Sequence, residues 1–310
     1  MELSFLLAQQ ILSLFLMMVV GYLIVKLDLL DVSAGDVLAT LGVYVFSPCI
    51  IFRSFVKAEF SKETLMGFLI AAFGAVVVHI LYIAMSRLGE KIFQFNNIEK
   101  ASLTYSNAGN FILPLVAATL GEEWVFFSCA YIMINTFVFW THGKTVICKE
   151  KSVDLVKALR NPNNVATVLG FLCFLFGIRL PAIVDSVTAS FGNLVGPAGM
   201  LVVGILMTNV DFKEVFSNKR AYMICFGRLI LYPLITVLFF RFSGIMQLHP
   251  QTEQFLLVTV LAAAAPCAAN VTQVAQIYHQ DAKLAGTLNV MSVIFCILTV
   301  PVIVGIYQMM

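Results

Sequence analysis

The chain has 310 residues, of which 60% are hydrophobic and 12% charged, and its 19 basic and 17 acidic residues leave a formal net charge of +2. Soluble domains carry about a quarter charged residues, so this composition excludes a cytosolic enzyme, and the near-zero balance implies neither nucleic-acid binding nor an acidic tail. A mean hydropathy of +0.95 instead describes a chain made mostly of membrane-spanning helices.

The N-terminal run MELSFLLAQQILSLFLMMVVGYLIVK lacks the basic head and small-residue cleavage site of a signal peptide and reads as a first transmembrane helix. Apolar runs bounded by charges, Gly or Pro continue to the end. The expected spans are 4–26, 35–55, 64–86, 99–120, 124–147, 163–179, 187–208, 219–242, 254–278 and 283–307, each near the ~20 residues a bilayer requires. The expected fold is therefore an all-α polytopic membrane protein with ten transmembrane helices.

With ten spans both termini share one side, and the basic residues divide unevenly between the two sets of loops. Lys26, Arg87, Lys91, Lys100, Lys144, Lys149, Lys151, Lys157, Arg160, Lys213, Lys219, Arg220 and Lys283 fall on one side; Arg53, Lys57, Lys62, Arg179 and Arg241 fall on the other. The positive-inside rule then puts both termini outside and the polar segment from His142 to Arg160 in the cytoplasm.

Landmarks recur half a chain apart. Asp36 and Pro48 are echoed by Asp185 and Pro197, Glu59-Phe60 by Asp211-Phe212, Pro114 by Pro266, and Asn135 by Asn289, at offsets of 149, 152, 152 and 154. This arithmetic predicts a first five-helix repeat over 1–148, a connecting loop over 149–160 and a second repeat over 161–310. Because five is odd, the second repeat enters from the opposite face, as an inverted 5+5 repeat of the kind found in secondary transporters.

Two spans read as broken. The fourth, SLTYSNAGNFILPLVAATLG, places Asn107, Gly109, Asn110 and Pro114 in an apolar run, and the ninth, LLVTVLAAAAPCAANVTQVAQIYH, places Pro266, Asn270, Thr272, Gln273 and Gln276. Proline removes a donor and clashes with the preceding turn, while Gly and Asn lower helix propensity, so both helices are expected to unwind near mid-span. An unwound helix offers free amides and the positive end of a new half-helix to an anion. The competing reading is a packing kink with bridging asparagines. Among the remaining intramembrane polar residues, Arg228 is either a counter-charge or an arginine snorkelling to the cytoplasmic surface, and His79 either titrates during transport or packs helices. Asn135, Asn193, Asn209 and Asn289 read as interhelical hydrogen-bonding groups.

No Asp or Glu lies in the middle of a predicted span, which argues against a carboxylate relay for ion coupling. The seven cysteines form no CxxC pair and read as free thiols, with Cys148 in a polar loop, and no metal or cofactor motif occurs. Nucleophile elbows, phosphate loops and paired catalytic acids are missing too, so no enzyme is expected.

The segment NAGNFILPL, with its N-x6-P spacing from Asn107 to Pro114, and AAAAPCAAN followed by IYHQDAKLAG and TVPV, resembles the auxin efflux carrier family over nearly the whole chain. The resemblance implies ten helices, an inverted repeat, helices four and nine crossing at their breaks to form the substrate site, and transport of organic anions. It carries Asn107 and Pro114 to the fourth-helix crossover and Pro266 to the ninth. Val271 stands where plant members have a second proline, and the short central loop favours the compact bacterial type.

The expected activity is a secondary carrier for malate or related carboxylates, working by alternating access, with spans 3–5 and 8–10 moving against spans 1–2 and 6–7. A non-transporting membrane sensor, or a proton- or sodium-coupled exchanger, is the alternative. The expected substrate-binding residues are Asn107, Gly109, Asn110, Pro114, Pro266, Asn270, Thr272 and Gln273, with His79 and Arg228 as coupling or counter-charge groups. Expected partners are a small organic anion and the lipid bilayer of a bacterial plasma membrane, with no nucleic acid and no cofactor; a homodimer is left open.

Overall fold

The computed structural model describes residues 2–149, 156, 159–208, 210 and 212–310. Lys151, Lys157, Asn209 and Asp211, and most of the 149–160 connection, lie outside the described residues. Among those residues the regular structure is helical, apart from one isolated antiparallel bridge between Ser106 and Cys267.

Seven helical stretches are long and apolar enough to cross a bilayer: α1 (Phe5–Lys26), α2 (Ala34–Lys57), α3 (Lys62–Phe93), α6 (Glu122–Cys148), α8 (Ala182–Met207), α10 (Lys219–Phe242) and α13 (Ala282–Met309). At 1.5 Å per residue each reaches the ~30 Å of a hydrocarbon core. Between them lie α4 (Asn97–Thr104), α9 (Phe212–Ser217), α12 (Ala269–Ile277) and three shorter apolar helices, α5 (Ala108–Thr119), α7 (Pro162–Phe176) and α11 (Thr252–Ala264). The chain is thus an integral membrane protein whose surface carries large apolar side chains such as Phe73, Ile80, Phe176 and Leu298. Cys148 ends α6 instead of lying in a loop, and all seven cysteines are free.

Short polar residues start these helices. Ser61 accepts from the Thr64 amide at the head of α3, Asn96 and Glu99 form a reciprocal capping box on α4, and Asp281 accepts from the Leu284 amide on α13. Prolines shape the interiors. One-turn π-helical segments at Gly42–Phe46, Ala108–Ile112 and Gly227–Leu231 each end two residues before a proline, Pro48, Pro114 and Pro233. A proline cannot donate to the carbonyl four residues back and its ring crowds that oxygen, and the widened turn relieves both problems without ending the helix.

The helices pack as two groups. In one, α1 lies along α8 while α2 lies along α7 and α8; in the other, α3 packs on α6 and α11, and α13 on α10 and α11. The α1–α8 contact is backbone-close. A side chain at Gly21 would strike the Leu201 backbone, and one at Gly204 would strike the Met18 carbonyl and the Tyr22 amide, the small-residue packing that lipid-embedded helices use. The groups meet where α1 touches α5 and α13, and at a cluster of phenylalanines. Phe55 of α2 makes edge contacts with Phe68 of α3, Phe126 of α6 and Phe171 of α7 at centroid distances of 5.6, 4.9 and 6.1 Å.

Candidate substrate site at the crossing of two broken helices

The first interruption spans Tyr105 to Asn107, between α4 and α5. Tyr105 is extended (φ −103°, ψ 135°) and Asn107 non-helical (φ −79°, ψ 51°). Ser and Asn compete for backbone partners and favour such breaks. Pro114, expected to cause the unwinding, lies seven residues further on inside the helix, accommodated by the π turn. The second interruption runs from Ala265 to Ala268, between α11 and α12. Ala265 is extended (φ −63°, ψ 156°) because a residue preceding proline is driven out of the helical region, so here Pro266 does sit in the break.

The two breaks cross and bind one another. The Asn107 amide donates to the Pro266 carbonyl at 2.9 Å, and the Ala268 amide to the Tyr105 carbonyl at 3.0 Å. Each break has one carbonyl held by a distant asparagine. Asn135 Nδ2 of α6 donates to the Ser106 carbonyl at 3.3 Å, and Asn289 Nδ2 of α13 donates to the Cys267 carbonyl at 2.8 Å. The Ser292 hydroxyl also accepts from the Cys267 amide at 3.0 Å. The backbone groups freed by unwinding are thereby re-satisfied inside protein, as the membrane interior requires. Since Ser106 pairs with Cys267, 161 residues later, the offset of 152 between the prolines does not describe the crossing.

His79 and Arg228 lie behind the crossing. His79 is buried, with Nδ1 2.7 Å from the Ala75 carbonyl and Nε2 3.1 Å from Asn135 Oδ1. The Asn135 amide that donates to Ser106 turns its oxygen to the imidazole, so His79 braces the lock on the first break. Arg228 is fully buried and does not snorkel; Nε donates to the Ala265 carbonyl and Nη1 to the Leu103 carbonyl, both at 3.1 Å. Charge at a predicted span end is paired instead: Glu99 is buried and meets Arg220, whose Nη2 donates to Glu99 Oε2 at 2.8 Å.

In front of the crossing a cavity of ≈ 510 Å³ separates α2 and α8 from α5, α12 and α13, a size suited to small-molecule sites. Four of the expected residues, Asn110, Asn270, Thr272 and Gln273, line it. Asn107 and Pro266 lie at the hydrogen-bonded crossing itself, and Pro114 packs towards Gly196 of α8, where an added Cβ would be 2.8 Å away; none of these three lines the cavity, nor does Gly109. The first turn of α12 faces the cavity through Ala269 and Asn270, its preceding residue Ala268 supplies no side-chain cap, and the buried Thr272 hydroxyl has no protein partner. A helix N-terminus of this kind carries free amides and partial positive charge.

Sequence reasoning did not assign Asp36, Ser47, Gln276, Lys283 and Thr287 to the site, yet all line the cavity. Asp36 and Lys283 sit in the first turns of α2 and α13, positions that look like loop edges in a linear reading, and nothing in the residue pattern shows that those turns face each other. A further hollow of ≈ 700 Å³ shares Asp36, Gln273 and Gln276 and reaches Trp140 and Arg160. At the other end of the molecule the groups are tied. Arg53 of α2 bonds Glu122 of α6 at 2.7 Å and Asp185 of α8 at 2.9 Å, and Lys57 joins Asp185 at 2.9 Å. Among the described residues no cluster of three or more His, Cys, Asp or Glu could hold a metal ion.

Interrupted helices crossing inside a polytopic helical protein, with a cavity that carries polar side chains between two helical groups, are the architecture of a membrane transporter. A family model described as membrane transport protein matches residues 6–153 and 146–304. The chain belongs to that family, the auxin efflux carriers, which is a family of transporters and not of enzymes. No curated protein matches the sequence.

Proposed function

We propose that this transporter carries small organic anions such as malate by alternating access. The observation that carries the reading is the cavity in front of the crossing, where the amides of Asn110, Asn270, Gln273 and Gln276, the hydroxyls of Ser47 and Thr272, and the uncapped first turn of α12 converge. These groups suit a carboxylate: side-chain amides and free backbone N–H groups donate, and a helix N-terminus favours negative charge.

Ten crossings and an inverted 5+5 repeat follow if α4–α5 and α11–α12 each cross as one broken helix and α7 crosses as a short one. Packing supports this, since α1 on α8 is mirrored by α2 on α7, and Asn135 and Asn289 hold the two breaks alike. With both termini outside, the cavity edge formed by Asp36, Val210 and Lys283 faces the cytoplasm, and the Arg53–Glu122–Asp185 cluster closes the outer mouth. Substrate then enters from the cytoplasm in this state, and rocking of α1, α2, α7 and α8 against the remainder exposes it outside.

The test is flux of labelled mono- and dicarboxylates in proteoliposomes, with pH gradient and membrane potential varied separately. Uptake that falls in Asn270→Ala and Gln273→Ala supports the proposal. Wild-type vesicles that move no organic anion under either driving force overturn it.

A further inference from the structure

We infer that the Arg228 guanidinium is a fixed internal cation that neutralises the C-terminal ends of both first half-helices, occupying the place where a carrier with interrupted helices would otherwise need a bound cation. The half-helices α4 and α11 stop inside the protein, at Thr104 and Ala264. Each leaves terminal carbonyls without intrahelical donors and carries about half a unit of negative charge at that end. Two such ends meeting in a low-dielectric interior repel one another. Such carbonyl ends are where coupling ions sit in transporters with discontinuous helices.

Here the positive charge comes from the chain itself. Arg228 donates one hydrogen bond to each end, Nη1 to Leu103 and Nε to Ala265, so one rigid fork spans both breaks. Its placement is built into α10. The residue lies in the π turn that precedes Pro233, and neighbouring Gly227 lets α10 approach α4 so closely that an added Cβ would be 2.9 Å from Leu103 Cδ2. The guanidinium carbon lies 5.4 Å from the centre of the Tyr82 ring, which stabilises a desolvated cation. Among the described residues no carboxylate forms an ion pair with Arg228, although it is fully buried and an unpaired buried charge is strongly unfavourable. Its compensation is therefore the pair of carbonyl ends. With those ends neutralised, the positive first turn of α12 is left to face the cavity, which joins this role to the anion reading without depending on the substrate.

The experiment compares purified wild type, Arg228→Gln, Arg228→Ala and Arg228→Lys in chloride salts of sodium, potassium, choline and low-millimolar methylguanidinium at matched ionic strength. Melting temperature is the primary readout. Wild type and Arg228→Lys should each keep one melting temperature in every salt, with Arg228→Lys below wild type because an ammonium lacks the fork. Arg228→Gln and Arg228→Ala should melt lower in choline and recover in sodium or methylguanidinium, because the vacated site then binds a cation. In proteoliposomes with an accepted substrate, Arg228→Gln should lose roughly tenfold in flux in choline, the scale of one charged hydrogen bond, and regain it with the added cation. Neutral variants as stable as wild type, neutral variants depressed equally in all salts, or an Arg228→Lys that behaves like Arg228→Gln overturn the inference. The melting arm needs no substrate, so failure of the anion-carrier reading leaves it intact and the two failures are distinguishable.

Discussion

The two breaks share one backbone pattern and differ in what stands behind them. At Tyr105–Asn107 the lock residue Asn135 is backed by His79, and Asn110 is the polar side chain that α5 brings to the cavity wall. At Ala265–Ala268 the lock residue Asn289 lines the cavity, and the neighbouring wall is open: a Cβ at Gly286 would come no nearer than 3.9 Å to Thr272 Cγ2. The first break is therefore held chiefly as a strut, with Asn110 its polar side chain at the cavity, and the second presents most of the polar groups a ligand would meet. A shared pattern of backbone bonds does not imply equal function, because packing decides which freed groups remain available.

The largest separation is expected between the two asparagines. Asn289→Ala removes both a carbonyl lock and a cavity amide, and a lost buried partner at 1–3 kcal/mol predicts a flux decrease of up to about a hundredfold with a raised apparent KM. Asn135→Ala removes only the lock and should lower flux about tenfold with little change in KM. Liposome kinetics that show the same KM change in both would break the division into strut and presenting face.

A smaller contrast lies in the glycines. Gly199→Ala puts a methyl group 3.3 Å from Asn110 Cβ and should cost about 1–3 kcal/mol through overpacking, whereas Gly286→Ala should melt like wild type. Thermal denaturation of both proteins measures the difference. His79→Leu comes next. It leaves Asn135 Oδ1 without its present partner and should lower stability by about 1 kcal/mol without a counterpart at the second break, again read from melting.

The smallest effect is expected away from both breaks, in the exposed turn before α2. The Ser33 amide donates to Asp31 Oδ1 at 3.0 Å and holds that carboxyl below its ordinary range. The lowered value means that this contribution is present above the ordinary carboxylate pKa and is lost as pH falls through the lowered one. Asp31→Asn should therefore remove a slight acid sensitivity of the turn, visible in hydrogen exchange as pH falls below about 4, and leave flux unchanged.

Much of this organisation is legible in the residues. Long apolar runs mark the helices, Ser61, Asn96 and Asp281 mark their starts, and Asn110, Asn270, Thr272 and Gln273 stand out as polar groups in apolar stretches, all four on the cavity wall. Pro266 marks its break through its effect on Ala265. Pro114 misleads, since a proline at membrane depth can be absorbed by a π turn while a Tyr-Ser-Asn segment unwinds instead. Asp36 and Lys283 escape notice because a charge at a helix start looks the same whether it faces water, lipid headgroups or a cavity.

Amino-acid order alone determined the membrane class, the helical content and the presence of two weak helices, because hydropathy and local propensity act over neighbouring residues. Tertiary structure decided where those helices open, which carbonyls receive Asn135, Asn289 and Arg228, and which polar groups remain for a ligand. Those outcomes depend on contacts between different helices, some close in the chain, such as Asn289 with Cys267, and some more than a hundred positions apart, such as Arg228 with Leu103 and Asn107 with Pro266. Inside a bilayer every freed backbone group must find a protein partner, and the identity of that partner exists only once the helices have packed.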